Sequence, residues 1–571
     1  VVPVPDERLD KLIEVSQTKK KINTMSKKLR AIYFLALSLN FCFSQNTVGT
    51  ISITENAFDA LTLFNIHTET YLINNCGEVV NEWNSTHLPG SSVYLLPNGN
   101  LLRAGRLDDG SSNIGFGGQG GIIELFDWDG TLVWSYTYSS NTFRQHHDVY
   151  PLPNGNILIL AATVMTATEA IQAGRDPNIL ISNELYNEQI LELEPVGTNQ
   201  ANIVWEWNIN DHLIQDFNAT KDNFGVVADN PQLLDINFIN GGTGSNNWLH
   251  VNSIQYNEER DQIVLSARRL SEIWIIDHST TTAESASNTG GTYGKGGDLL
   301  YRWGNPEAYQ QGTPADRTLF GQHTPRFIKA GMPNEGKIIL FNNGFQRMPE
   351  FSQVDIITPP ETSLGVYDYI PNTKYGPLAT DYTYSDLAQD PSDFFTAIVS
   401  SAQQLSNGNI LVCEGRDGYF FELDTNNNKV WEYINPIDNN NGSSTLQGIP
   451  LEGTNLTFRA TKYALDYSAF TGRDLTPTSP LELNPDLTPC NNLSVSEFEE
   501  SIVSLYPNPT QNRVTINTTK NIDKIEVYNT IGQKVSETKG LTINLSSQNQ
   551  GIYFLRIHFE GHIITRKVIK N

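Results

Sequence analysis

Cysteine, methionine and cationic residues are all scarce in this chain. Four Cys and four Met occur in 571 residues, and 38 Lys and Arg face 63 Asp and Glu, a formal net charge of −25. The shortage of positive charge excludes nucleic acid or an anionic membrane surface as the main partner, because both need a basic stripe. The cysteines are too few for a disulfide framework. Cys42 lies in an apolar N-terminal run, and Cys76, Cys413 and Cys490 show no CxxC spacing, so at most one bridge forms downstream and a structural zinc site is not expected. Long apolar runs are also missing: the run 31–43 is too short for a permanent bilayer span. No GxxxxGK[ST], HExxH or G-x-S-x-G pattern occurs, so nucleotide, zinc-protease and serine-hydrolase chemistry lack their parts.

Apolar residues make up 39% and aromatics 10%, with 43 glycines, so the chain can bury a large core built of strands and tight turns. Met25-Ser26-Lys27-Lys28-Leu29-Arg30 is a basic segment ahead of the apolar run, and small residues follow it. That order predicts a signal peptide over 25–44. Residues 1–24 precede the plausible start methionine and are set aside as an uncertain upstream segment.

One phrase recurs. Val93-Tyr94-Leu95-Leu96-Pro97-Asn98-Gly99-Asn100-Leu101-Leu102 is echoed by Val149-Tyr150-Pro151-Leu152-Pro153-Asn154-Gly155-Asn156-Ile157-Leu158 and by Gln404-Leu405-Ser406-Asn407-Gly408-Asn409-Ile410-Leu411. Asn-Gly between β-rich runs signals a hairpin, with both central residues at positive φ. Each phrase precedes a second hairpin ending on an aromatic strand, at 123–134, 190–207 and 419–431. Degenerate copies fit at 251–266, around a turn at 257–261, and at 324–341, while 69–83 resembles a leading half-unit. Four-stranded units repeated five or six times predict an all-β fold, a six-bladed β-propeller over 45–488. Composition then changes: 489–502 reads as a linker, and 503–571 as a small β-sandwich with strands near 514–517, 525–527 and 552–557.

Ten histidines are few enough for their placement to inform. His147, His250 and His323 stand in one register, each at the start of the first strand of its unit. First strands line a propeller's axis, so the three converge there. Arg268 lies opposite His250 across the 257–261 turn, and Asn252 shares that face by the two-residue strand period. An imidazole, an amide and a planar guanidinium together suit a tetrahedral oxyanion. By the same alternation Arg269 points away. A glycine-rich segment, 115–121, is only a weak phosphate cradle because it joins two strands. Long loops at 165–188, 211–247 and 279–297 are candidates for the channel mouth. Histidine acting on an anion, as nucleophile or acid–base group, is the chemistry left.

At these residues the chain resembles the bacterial arylsulfate sulfotransferases. The resemblance covers roughly 60–475. It rests on Gln145-His146-His147-Asp148-Val149, Trp248-Leu249-His250-Val251-Asn252-Ser253, Leu265-Ser266-Ala267-Arg268, Phe320-Gly321-Gln322-His323-Thr324 and Glu414-Gly415-Arg416. It implies transfer of a sulfuryl group from a phenolic sulfate ester to a phenolic acceptor through a sulfated histidine, without a nucleotide sulfate donor, cofactor or metal. It implies His323 as nucleophile, His250 and Arg268 as sulfate-binding and charge-stabilising groups joined by Asn252, and His147 in binding or proton transfer. His146 and Arg326 are further substrate-binding candidates, although alternation turns His146 aside. Leu505-Tyr506-Pro507-Asn508-Pro509, Ile531-Gly532-Gln533 and Gly551-Ile552-Tyr553-Phe554-Leu555 resemble the sorting domain of type IX secretion, which implies export by that machinery and removal of the domain. Two other readings remain: a secreted, non-catalytic binding or adhesive propeller whose histidines hold a ligand or metal, and a propeller that hydrolyses sulfate esters.

Overall fold

A computed structural model describes residues 46–386, 391–451, 453–491, 503–518, 521–559 and 562–571. The expected signal peptide, the upstream segment and nearly all of the expected linker lie outside these residues. No helix among the described residues is long and apolar enough to cross a membrane.

Six antiparallel sheets follow one another along the chain. The second comprises Pro89–Leu95, Leu101–Arg106, Gly121–Phe126 and Leu132–Thr137. Phe143–Pro151, Ile157–Thr166, Glu184–Val196 and Gln200–Asn208 form the third. The fourth contains Val251–Asn257, Gln262–Ala267, Glu272–Asp277 and Tyr301–Trp303, and the fifth His323–Phe327, Ile338–Asn342, Gln353–Ile357 and Tyr382–Tyr384. In the sixth, Ser401–Gln404, Ile410–Glu414, Tyr419–Leu423 and Lys429–Ile434 are joined by Gly49–Ile53 along the outer edge. The half-unit expected at 69–83 is in fact part of a complete sheet. Ala60–Ile66, Glu69–Ile73 and Val79–Asn84 take their fourth strand, Ala460–Ala464, from the other end of the chain.

The recurrent aromatics explain the propeller-like order. Trp83 Nε1 donates to the Asp127 carbonyl at 2.8 Å, tying the first sheet to the second. Trp134 donates to Gln200 at 2.9 Å, Trp207 to Gly297 at 2.8 Å and Trp303 to Pro377 at 2.9 Å, each reaching the sheet that follows or its loop. The Tyr382 hydroxyl donates to Asn427 Oδ1 at 2.7 Å, and Trp431 donates to the Asn75 carbonyl at 2.7 Å, returning from the sixth sheet to the first. Each ring fills apolar space between sheets while its polar edge is satisfied. Leu158, Leu160 and Trp207 of the third sheet, for example, pack with Ile263, Leu265 and Trp274 of the fourth. A disulfide joins Cys76 to Cys490, and Cys413 is free and buried. Cys490, expected in the linker, is therefore bonded to the first sheet.

The repeated turns differ from expectation. Only the glycine is left-handed, at Gly99 (φ +89°), Gly155 (+91°) and Gly408 (+98°); the asparagine before it is not. The Gly99 amide donates to the Leu96 carbonyl, and the Leu96 amide to the Asn100 carbonyl. Asn98 Oδ1 accepts from the Asn100 amide at 2.9 Å. The motif is a longer loop closed by a left-handed glycine, and asparagine serves it as a side-chain acceptor.

His278 is an ionic tie between the third and fourth sheets. Its Nδ1 meets Asp261 at 2.8 Å and its Nε2 meets Glu192 at 2.9 Å. Burial opposes its charge, but the two carboxylates outweigh burial and raise it to about 9. A raised folded value stabilises fully below the ordinary value of about 6.5 and is lost as pH rises through the folded one. Wild-type protein is thus expected to lose about 2–4 °C of Tm relative to His278→Gln between pH 7 and pH 9.5, read by melting both proteins at both values.

Residues 503–571 form two sheets. One contains Ser504–Tyr506, Arg513–Asn517 and Thr542–Asn544; the other contains Lys534–Thr538, Lys524–Asn529, Gly551–Phe559 and His562–Lys570 in that order. Val514, Ile516, Ile525, Val527, Leu555 and Ile557 alternate along these strands and form the core between the sheets.

Candidate active site

The first strands of the second to fifth sheets are each interrupted by a bulge, which is central in the third sheet and near the strand start in the others. A bulge breaks the two-residue alternation and re-aims side chains. His147 lies inside one, at φ +49°. His250, at φ +50°, immediately precedes Val251, and His323 opens its own strand, followed by Thr324 at φ +55°. His250 and His323 therefore stand at strand starts, whereas His147 lies in the middle of Phe143–Pro151, so the three do not share the one register expected of them. Non-glycine residues at positive φ cost about 1–3 kcal/mol each and persist where surrounding structure enforces them.

His147 and His250 stand edge to face, with ring centroids 4.8 Å apart. Phe458 lies 6.2 Å from the His147 ring and 6.4 Å from the His323 ring, spanning the two. Val251 pairs with Ala267, so His250 and Arg268 are opposed just beyond, and the Arg268 amide donates to the His250 carbonyl at 3.3 Å. Asn252 does not reach this face by simple alternation, because the bulge follows Val251. Its Nδ2 donates to the Gln322 carbonyl at 2.9 Å, and its buried Oδ1 has no partner among the described residues.

Neighbouring amides define the imidazole tautomers. Asn343 Nδ2 donates to the carbonyls of Thr396 at 2.8 Å and Val399 at 2.9 Å, so its Oδ1 faces His323 and accepts from Nδ1 at 2.7 Å. His323 thus carries its proton on Nδ1 and leaves a lone pair on Nε2. Asn247 Nδ2 donates to His250 Nδ1 at 2.6 Å, which leaves Nε2–H of His250 as a donor. Both ring nitrogens of His146 are engaged, Nδ1 with His147 Nδ1 and Nε2 with Glu188, each at 2.9 Å. The fully buried His146 has no ring nitrogen left for substrate and positions His147 instead.

Burial lowers all three axial imidazoles. His323 is brought down to about 3 by burial and then by the Arg268 charge, against the Asn343 bond. His147 is lowered by burial and by His250, and His250 by burial and by Arg268. Burial and the neighbouring Arg269 bring Arg268 to about 10, still charged at neutral pH. The result is a neutral His323 imidazole in the field of a fixed cation.

Arg326 sits elsewhere. Burial lowers it, and its surroundings are Arg459, Tyr94, Asp148 and Tyr150. Arg459 donates to Asp148 at 2.8 Å and to the Tyr94 hydroxyl at 2.6 Å. This polar cluster meets the histidines through Phe458, on which Arg459 stacks at 5.1 Å, and the Arg459 charge also acts on His323.

The segment 115–121 turns out to cover the histidines. Phe116 stacks on His147 at 6.2 Å and lies 5.9 Å from His250. Gly118 has φ +83°, its carbonyl accepts from the His147 amide at 2.7 Å, and a Cβ there would meet the His147 ring. Only glycine serves at this position. Gly118→Ala is expected to displace His147 and lower kcat/KM by about 10²-fold while the fold persists, measured by turnover alongside a melting curve. Phe116, Gly118, Asn343, Asn247 and Glu188 carry no sequence signal except the glycine run itself.

Of the long loops, 165–188 is strand at both ends, where Thr166 pairs with Glu184, and leaves the third sheet at the Phe143 end of its first strand. Residues 238–245 line a cavity with Arg268. The loop 279–297 does not belong to this end: it follows Asp277, which pairs with Gln262 at the turn. Among the described residues no group of three or more His, Cys, Asp or Glu is arranged to hold a metal ion.

The fold and the site define a propeller-like protein with a cluster of histidines held neutral by burial and a part-buried arginine suited to a small oxyanion. The arylsulfotransferase (ASST) family matches residues 52–448, and the secretion system C-terminal sorting domain matches 504–571; the chain belongs to the arylsulfotransferase family. The sorting domain marks it for export to the cell surface or beyond. Comparison with curated proteins finds no match. Similar solved structures include a protein of unknown function from Bacteroides caccae (10% identity, 71% of this chain, 98% of that one, TM-score 0.37). Others are the Myceliophteria thermophila Swd1 β-propeller domain (10%, 69% and 87%, 0.30) and a catalytically inactive virginiamycin B lyase from Staphylococcus aureus with quinupristin (10%, 70% and 91%, 0.30).

Proposed function

We propose that this chain transfers a sulfuryl group from a phenolic sulfate ester to a phenolic acceptor through a sulfated His323. The observation that carries this reading is the fixed Asn343 amide, which leaves the His323 Nε2 lone pair free next to the Arg268 charge. In the first half-reaction Nε2 attacks sulfur. The N–S bond forms as the S–O bond to the aryl ring breaks, and the phenolate leaves with that electron pair. Arg268 and His250 Nε2–H stabilise charge on the non-bridging oxygens. In the second half-reaction the acceptor phenol oxygen attacks sulfur and the N–S pair returns to Nε2. The phenol proton is released to solvent in place of the one taken up by the first phenolate, while His147, oriented by the His146–Glu188 pair, lines the site.

The test uses the full chain with para-nitrophenyl sulfate, with and without a phenol. Nitrophenol release that requires the acceptor supports transfer; equal release without it identifies a hydrolase, and none in either case refutes both.

The histidine values set the pH dependence. A free-enzyme imidazole of ordinary pKa would cost activity below about 6.5. Because burial and Arg268 hold His323 neutral down to about 3, kcat/KM for a nitrophenyl donor is expected to stay flat from pH 5 to pH 8. An acid limb near pH 6.5 contradicts this.

A further inference from the structure

The cavity lined by residues 238–245 adjoins the site and shares Arg268 with it. It measures about 220 Å3 and is lined by three arginines, Arg175, Arg268 and Arg269, with Phe238, Trp248 and Phe345. No Asp or Glu lines it, in a chain of net charge −25. Arg175 is fixed: it donates to the Ile236 carbonyl and stacks on Trp248 at 5.8 Å. Arg268 stacks on Phe345 at 4.8 Å, and one of its nitrogens donates to the Ala397 carbonyl at 3.0 Å. Arg269 is exposed at the cavity wall, and its guanidinium has no partner among the described residues. Strand alternation predicts that Arg269 points away from the chemistry, but the turn at 268–271 places it beside Arg268 on the cavity wall.

Uncompensated guanidinium groups beside aromatic faces are a recognition site for a planar anion. Arg268 both lines this cavity and is the foremost charge acting on His323, so one ligand can offer an anion to each. We infer that the substrate ring carries a second anionic group, a carboxylate or further sulfate, which this cavity holds through Arg269 while Arg268 faces the transferring sulfuryl group. The ring packs against Phe345 and Trp248. This rests on the sulfuryl-transfer reading for the name of the substrate but not for the anion site itself.

The experiment therefore has a binding arm and a turnover arm, both on the full chain. Benzenesulfonate and benzene-meta-disulfonate, whose C–S bonds do not transfer, are titrated by calorimetry into wild type and Arg269→Gln. The disulfonate is expected to bind wild type about tenfold more tightly than the monosulfonate, and the advantage to vanish in Arg269→Gln with monosulfonate binding unchanged. In turnover, para-carboxyphenyl sulfate is expected to lose about tenfold in kcat/KM in Arg269→Gln relative to phenyl sulfate. Equal affinities for the two sulfonates in wild type, or an advantage that survives Arg269→Gln, overturns the inference. Absence of turnover with both donors refutes the transferase reading and leaves the binding arm to decide the anion site. A Gln variant that weakens both sulfonates equally also overturns it, since that result assigns Arg269 a structural role. Arg269→Lys, which keeps the charge, is expected to retain most of the disulfonate preference.

Discussion

His323→Ala is expected to lower kcat/KM for para-nitrophenyl sulfate by about 10⁴-fold or more, with the melting temperature nearly unchanged. No other group on the axis can take over. His147 has its Nδ1 bound to His146 and its Nε2 edge against Gly118, and His250 presents an N–H where a lone pair is needed. Truncating the imidazole leaves a small void beside Phe458 and Asn343, into which free imidazole fits. Partial rescue by added imidazole, absent from wild type, is therefore expected and separates lost chemistry from lost folding. Asn343→Leu acts on the same atom by a different route. It removes the acceptor that fixes the tautomer, and turnover should fall while binding of a sulfonate analogue persists.

Arg268→Ala is expected to be the next most damaging change, at about 10²–10³-fold in kcat/KM. Its cation is the foremost charge acting on His323 after burial, and it has no carboxylate to neutralise it. Arg268→Lys keeps a charge but loses the planar fork, the stacking on Phe345 and the bond to the Ala397 carbonyl, so it should recover only part of the loss. Because Arg268 lowers His323, removing it should let the imidazole rise toward its ordinary value. An acid limb in the pH profile should then move up into the range above pH 4. That displacement is a signature a merely structural arginine would not produce.

Much of the fold can be read from spacing. The Pro-Asn-Gly phrases mark hairpins because a left-handed glycine has few substitutes, and the outer-strand tryptophans stand out because each must reach the next sheet. The closing strand Ala460–Ala464 escapes such a reading: it pairs with Ala60–Ile66 some four hundred residues away, and no local pattern names its partner. The axial histidines are legible because ten in the whole chain are few. Their precise geometry is not. Counting by twos across the 257–261 turn pairs His250 with Arg268 correctly, yet misplaces Asn252, because the bulge beside it shifts the register by one. Asn343 is two residues beyond the Phe341 partner of His323, a relation set by a pairing the sequence does not announce. Phe116 and Gly118 come from a different sheet's loop, and only their glycine content hints at close approach.

The sulfated intermediate is the central claim, and rapid quench of the full chain with aryl sulfate alone, followed by peptide mass spectrometry, tests it most directly. The expected result is one added sulfuryl group on the peptide containing His323, formed with a matching burst of phenol, discharged by an added phenolic acceptor and absent from His323→Ala. Turnover with no adduct, or an adduct on another residue that survives His323→Ala, would contradict it.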